Sequence, residues 1–148
     1  MDSLFLSLSV ITTGLYAGFL LTFLVAIMPG IAALPDPGFT AAMRRFNEKV
    51  PGPVFLLLFL GVIAFPAVAA FTEHGEDGWP LVLAALACAV ASHLVTVAGN
   101  IPLNNALAAS EGGDDTAART AFEPRWNALH RIRTVLSLAA FVLAALAV

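Results

Sequence analysis

Gly99-Asn100-Ile101-Pro102-Leu103-Asn104-Asn105 closes an apolar run that begins near Leu81. Its three amides decide how the chain is read. An amide facing lipid costs free energy, because hydrocarbon offers it no hydrogen-bond partner. These amides must therefore face protein or water. The stretch that answers them is Trp126-Asn127-Ala128-Leu129-His130-Arg131-Ile132-Arg133, where the last apolar run begins. The expectation is that both stretches lie at one membrane level and form one polar site.

Composition supports a membrane as the solvent. A soluble domain carries roughly 25% charged residues, whereas this chain of 148 residues carries 11% and is 59% hydrophobic. A single integral membrane domain over residues 1–148 fits the length. Cys88 is the one cysteine. It sits in an apolar segment, cannot form an internal disulfide and reads as a buried structural thiol. CxxC, HExxH, GxSxG and strand-preceded GxGxxG patterns are missing, which excludes the common zinc, hydrolase and phosphate-loop motifs. No metal set and no nucleic-acid partner is expected; the lipid bilayer is.

Working outward, Ser3 to Pro35 carries no charge and is long enough to span a ~30 Å hydrocarbon core with tilt. It is too long for the apolar core of a signal peptide. Gly14 and Gly18, followed by Thr22, give a small-xxx-small spacing for close helix approach. Tyr16 falls near mid-membrane, so its hydroxyl is expected to find a partner inside the bundle. Asp36-Pro37 starts a short helix that ends at Pro51-Gly52-Pro53. Phe39, Ala42, Met43, Phe46 and Val50 share one side of it, with Arg44, Arg45, Glu48 and Lys49 away from that side. This reads as an amphipathic helix at the membrane surface. Asn47 borders its apolar side and faces either the bundle or water.

Val54 to Phe71 forms the second span, with a kink expected at Pro66. Glu73, Glu76 and Asp77 mark a short acidic loop, and Trp79 marks the return to the interface. In the third span His93, Thr96, Asn100 and Asn104 recur at helical spacing and cover a stripe roughly 80° wide. Polar residues confined to one stripe of an apolar helix point inward. Helix-to-helix hydrogen bonding alone explains such a stripe equally well. Pro102 is expected to bend this helix and free the carbonyl of Ala98. Asn100 and Asn104 are expected to bond across to Asn127 or Arg133. The last helix begins either with a capping box of Thr120 and Glu123, or at Asp115 with a bend at Pro124. On it Trp126, Asn127, His130, Arg133, Thr134 and Ser137 lie within about 120° of one another. The expected fold is all-α: a four-helix transmembrane bundle, spans about 4–34, 54–72, 80–107 and 124–148, with the amphipathic helix between spans one and two.

All seven Lys and Arg fall in two regions. Arg44, Arg45 and Lys49 lie between spans one and two; Arg119, Arg125, Arg131 and Arg133 lie between spans three and four or open span four. The positive-inside rule puts both regions, and hence the amphipathic helix, in the cytoplasm and both termini outside.

Gly-Leu-Tyr-Ala-Gly at 14–18, Ile-Met-Pro-Gly at 27–30, Met43 with Asn47, the 99–105 stretch and Trp-Asn-x-x-His-x-x-Arg-Thr at 126–134 together resemble the anthrone oxygenase-like family of small four-helix membrane proteins. The resemblance covers nearly the whole chain, and the two polar motifs are its specific part. It implies a bacterial inner-membrane protein that oxidises a lipophilic phenolic or anthrone-type substrate without a recognised metal or flavin. An anthrone carries an acidic C–H beside an aromatic ketone, and its anion reacts with oxygen directly. His130 is then the expected base, and Arg133 with Asn100, Asn104 and Asn127 the oxyanion partners. Trp126 is expected to stack on a planar ring. Tyr16, Asn47 and Asn105 complete the expected substrate-binding set. The alternatives are a membrane protein that binds or transports a small hydrophobic or anionic molecule at Arg133, and a structural subunit without catalysis. A haem shared by His93 and His130 needs a strong helix tilt, because His93 lies about 10 Å deeper than Asn100 along its helix.

Overall fold

The computed structural model describes residues 4–148. Ser3, the first residue of the first uncharged run, lies outside them. Within them the chain is built from helices: α1 (Leu4–Ala32), α2 (Asp36–Lys49), α3 (Pro53–Thr72), α4 (Trp79–Ala109) and α5 (Asp115–Leu146). All but α2 are long and apolar enough to cross a membrane. Their outward faces carry large apolar side chains such as Leu15, Leu60, Leu94, Val97 and Val135, all more than half exposed. In water such faces would be costly; in lipid they are the solvated surface. The fold is thus an all-α bundle of four apolar helices, that of an integral membrane protein.

Helix α1 follows α5 and α3, and α4 packs along α5. At one end the first turn of α1, the 72–78 turn and the C-terminal residues Ala147 and Val148 come together. Gly78 meets Ala147 there: a Cβ would lie 2.5 Å from the Ala147 carbonyl oxygen, so no larger residue fits without moving backbone. At the other end α2 lies across α1, α4 and α5. Its Phe39 and Met43 have no exposed surface and join Phe23, Met28, Leu107, Phe122 and Trp126 in one apolar cluster.

One polar residue per turn of α2 ties it to the start of α5. Asp36 accepts from Thr116 Oγ1 and Arg119 Nη1, and Thr40 Oγ1 donates to Asp115 Oδ1 at 2.7 Å. One turn on, Arg44 pairs with the same carboxylate oxygen at 3.2 Å. Arg44 was expected on the outer side of α2, and the structure corrects this. It is 6% exposed because its flexible stem reaches beneath the helix, where Nε donates to the Leu107 carbonyl and Nη2 to Ser110 Oγ. Arg119 does the equivalent for α1, donating to the carbonyls of Ala32 and Leu34. Each arginine thus caps a helix C-terminus that has run out of backbone donors.

Two further expectations resolve here. The last helix starts at Asp115, not at a capping box, since Asp114 accepts from the amides of Thr116 and Ala117 and Glu123 is taken by Arg119. Pro124 sits inside the continuous helix. Pro102 does not end its helix either. Just before it, over Thr96–Asn100, the helix widens into a π-turn, in which the Ile101 amide bonds back to the Thr96 carbonyl. Helix α1 does the same before Pro29, over Phe23–Ile27. Single π-turns inside α-helices occur often at functional sites, and both of these border the polar residues described next.

Candidate functional site

The site is built on one face of α5, where residues 126, 130, 133 and 137 recur at helical spacing. Trp126, His130 and Arg133 are all buried. The Trp126 and His130 rings stack with centroids 4.7 Å apart, and the Arg133 guanidinium lies 5.2 Å from the Trp126 centroid. Ser137 bonds Ser92 Oγ at 2.8 Å and fixes α4 against α5 one turn further in.

His130 and Arg133 form a unit. His130 Nε2 lies 3.0 Å from the Leu20 carbonyl, which can only accept, so Nε2 carries the proton. The Nδ1 lone pair then accepts from Arg133 Nε at 3.0 Å. Arg133 Nη1 donates to Thr96 Oγ1 at 3.3 Å. Nη2 has no protein acceptor, and no carboxylate pairs with Arg133 among the described residues. A buried cation with only neutral neighbours is costly.

The amides of α4 meet α5 as expected, but through a different partner. Asn100 Nδ2 donates to the Trp126 carbonyl at 3.4 Å, and Asn104 Oδ1 accepts from Trp126 Nε1 at 2.9 Å. Trp126, rather than Asn127 or Arg133, receives both because its backbone and indole N–H face α4. Among the described residues three buried side-chain polar atoms are left unpaired: Tyr16 Oη, Asn47 Nδ2 and Asn100 Oδ1. Tyr16 was expected to find a partner. Its hydroxyl faces Thr96 and Arg133 without closing a hydrogen bond of ordinary geometry, while its ring packs on Phe55, Phe59 and His93.

A cavity of about 150 Å³ opens against this wall. Arg133, Thr96, Asn104, Trp126 and Asn47 supply its polar lining, and Phe19, Phe23, Phe46, Phe55 and Phe59 much of the rest. Of the residues expected to form a site, Asn47, Asn104, Trp126 and Arg133 line the cavity. His130, Asn100 and Tyr16 are fully buried just outside its lining. Asn105 is exposed, and Asn127 is half-buried with no side-chain hydrogen bond; neither reaches the cavity. Thr96 and the five phenylalanines were not expected there. Thr96 lay on the same stripe as Asn100 and was legible; the phenylalanines had no signal to separate them from lipid-facing ones.

Each ring nitrogen of His93 and His130 has a protein group within 3.0 Å. His93 Nε2 lies 2.7 Å from the Phe59 carbonyl and Nδ1 3.0 Å from that of Ala89; both oxygens can only accept, so a neutral ring donates to one of them, and His130 is committed as above. No three His, Cys, Asp or Glu side chains converge on a metal position among the described residues.

Fold and site together define a small four-helix integral membrane protein with a buried cationic pocket reaching an apolar cavity. The family model described as Anthrone oxygenase matches residues 39–143, more than half of the chain, and the chain belongs to that family. The match covers most of α2, all of α3 and α4 and most of α5, including Asn47, Thr96, Asn100, Asn104 and the whole 126–134 motif; Tyr16 lies before it. No curated protein and no solved structure matches.

Proposed function

We propose that this protein catalyses the oxygen-dependent oxidation of a lipophilic phenolic or anthrone-type substrate in the cavity bounded by α1, α2, α3, α4 and α5. The observation that carries this reading is Arg133: a buried guanidinium on the cavity wall with a free Nη2 and no carboxylate. Such a group stabilises an oxyanion strongly in a dry site. The substrate binds as its enolate or phenolate, with the oxygen on Arg133 and the Asn47 amide. An electron-rich carbon ortho to that oxygen or across the ring from it, whichever carries hydrogen, then reacts with O2; overall a CH2 or ring C–H becomes a carbonyl and one oxygen atom leaves as water. His130, expected to act as base, serves here as a positioning residue, because its lone pair already holds Arg133 Nε. Trp126, stacked on Phe122 and His130, borders the reacting ring. Family membership supports the reaction class.

The test supplies purified protein with oxygen and a panel of lipophilic phenols including anthrone, and follows oxygen uptake and quinone formation. Wild type is expected to accelerate at least one member, more at higher pH as more substrate ionises, and Arg133→Ala to lose the acceleration. Turnover equal to empty micelles for every member defeats the reading. A second reading, binding or transport without catalysis, is favoured by one fact: no free basic lone pair other than amide oxygens faces the cavity.

The same proposal places the protein in a bacterial inner membrane with both termini outside, supported by the confinement of Lys and Arg to the α2 end and the opening of α5. With Cys88 replaced by Ser, a cysteine at Glu76 should label from outside intact cells and one at Ser110 should not. The opposite pattern reverses the orientation.

A further inference from the structure

The cavity limits the size and shape of what can sit against Arg133. Its volume of about 150 Å³ is that of a cavity that holds a single benzene ring. Its two ends differ. The inner end is Arg133, Thr96 and Trp126, each less than a tenth exposed. The outer end is Leu56 and Ile101, 46% and 41% exposed on the lipid-facing sides of α3 and α4. The exposed lining also includes Pro51 in the α2–α3 turn, so the opening lies between α3 and α4 at the α2 end of the bundle, with Leu56 and Ile101 on its hydrocarbon side.

Asn47 Nδ2 and Arg133 Nη2 are donors without acceptors, and both residues line the cavity. An oxygen that satisfies both must be carried at the narrow tip of its molecule. In a linear three-ring ketone the oxygen sits on the middle ring, at the broad side, so all three rings would have to fit across the inner end. In a phenol substituted opposite its hydroxyl, the oxygen leads and the substituent trails.

We infer that the cavity is shaped for a one-ring phenol with an apolar tail: the oxygen on Arg133 and Asn47, the ring beside Trp126, and the tail leaving between Leu56 and Ile101 into the bilayer. This narrows the proposed substrate class and rests on the cavity being the site, but not on turnover.

The experiment uses 4-decylphenol carrying a ring fluorine, titrated into the purified full chain in micelles and followed by fluorine NMR. A saturable bound signal is expected, displaced by unlabelled decylphenol and not by anthrone. It should vanish in Arg133→Met and weaken about fivefold in Asn47→Ala, the loss of one hydrogen bond. Arg133→Lys, which keeps the charge and loses the planar fork, should weaken it too and covers the case in which the Met variant fails to fold. Displacement by anthrone at equal or lower concentration overturns the size argument and leaves the proposed oxidation standing. Absence of a bound signal alongside anthrone turnover does the same. A bound signal without turnover of any phenol leaves this inference standing and defeats the oxidation. Absence of both binding and turnover defeats both.

Discussion

The two buried arginines, Arg44 and Arg133, differ in what surrounds them. Arg44 has all three nitrogens occupied, by the Leu107 carbonyl, the Ser110 hydroxyl and the Asp115 carboxylate. Arg133 has two occupied, by a neutral imidazole and a hydroxyl, and one empty. Their exposures are nearly equal, 6% and 8%. Burial therefore does not separate them; charge compensation does. A buried cation with its carboxylate and a capped helix end is a clamp. A buried cation left uncompensated raises the energy of the fold, and that deficit is available to an anionic ligand.

The sharpest way to break this contrast is to remove each in turn. Arg44→Ala strips the cap from α4 and removes one of the three ties between α2 and α5. It leaves the Leu107 carbonyl and the Ser110 hydroxyl without their guanidinium partner and an empty space under α2, so the melting temperature in detergent should fall by roughly 5 °C or more. Arg133→Met should behave oppositely. It replaces an uncompensated charge by an apolar chain of similar length, so the melting temperature should hold or rise by a few degrees while turnover and phenol binding are lost. A stable Arg44→Ala together with an unfolded Arg133→Met would exchange the two roles. A smaller effect sharpens the boundary between them. Asn100→Ala removes a long hydrogen bond to the Trp126 carbonyl and also an unpaired acceptor. Hydrogen bonds between membrane helices average well under ~1 kcal/mol, so a shift of about 2 °C or less is expected. A large loss would mean that the α4 stripe is a clamp like Arg44, and would favour a structural subunit.

The contrast was only half visible in the sequence. The uncharged runs located the apolar helices, and the 3–4 spacing of His93, Thr96, Asn100 and Asn104 located the inward stripe, because both are local properties of helical geometry. The same spacing already excluded Asn105, which lies about 100° from Asn104 and is exposed; grouping it with its neighbours in one motif hid that. Arg44 was misplaced because a helical wheel locates a Cβ and not the end of a long flexible side chain. Its partners Leu107, Ser110 and Asp115 are more than sixty positions away in sequence. The missing carboxylate at Arg133 could not be read at all, since it is a property of every neighbour at once.

The π-turn over Thr96–Asn100 can also be seen as a matter of counting. Ser92 and Leu107 are fixed points on α4, the first bonded to Ser137 and the second to Arg44. A plain α-helix advances about 100° per residue, so the number of residues between two fixed points sets the angle between the faces they present. The π-turn takes up one residue more than an α-turn would. Deleting a single residue there would restore ordinary winding and leave everything beyond facing nearly as before, whereas winding the same residues evenly would turn it by about 100°, carrying Asn104 away from Trp126 and the Leu107 carbonyl away from Arg44. The widened turn is a spacer: it lets one unbroken helix keep appointments with two partners whose directions an evenly wound helix of the same length could not both meet.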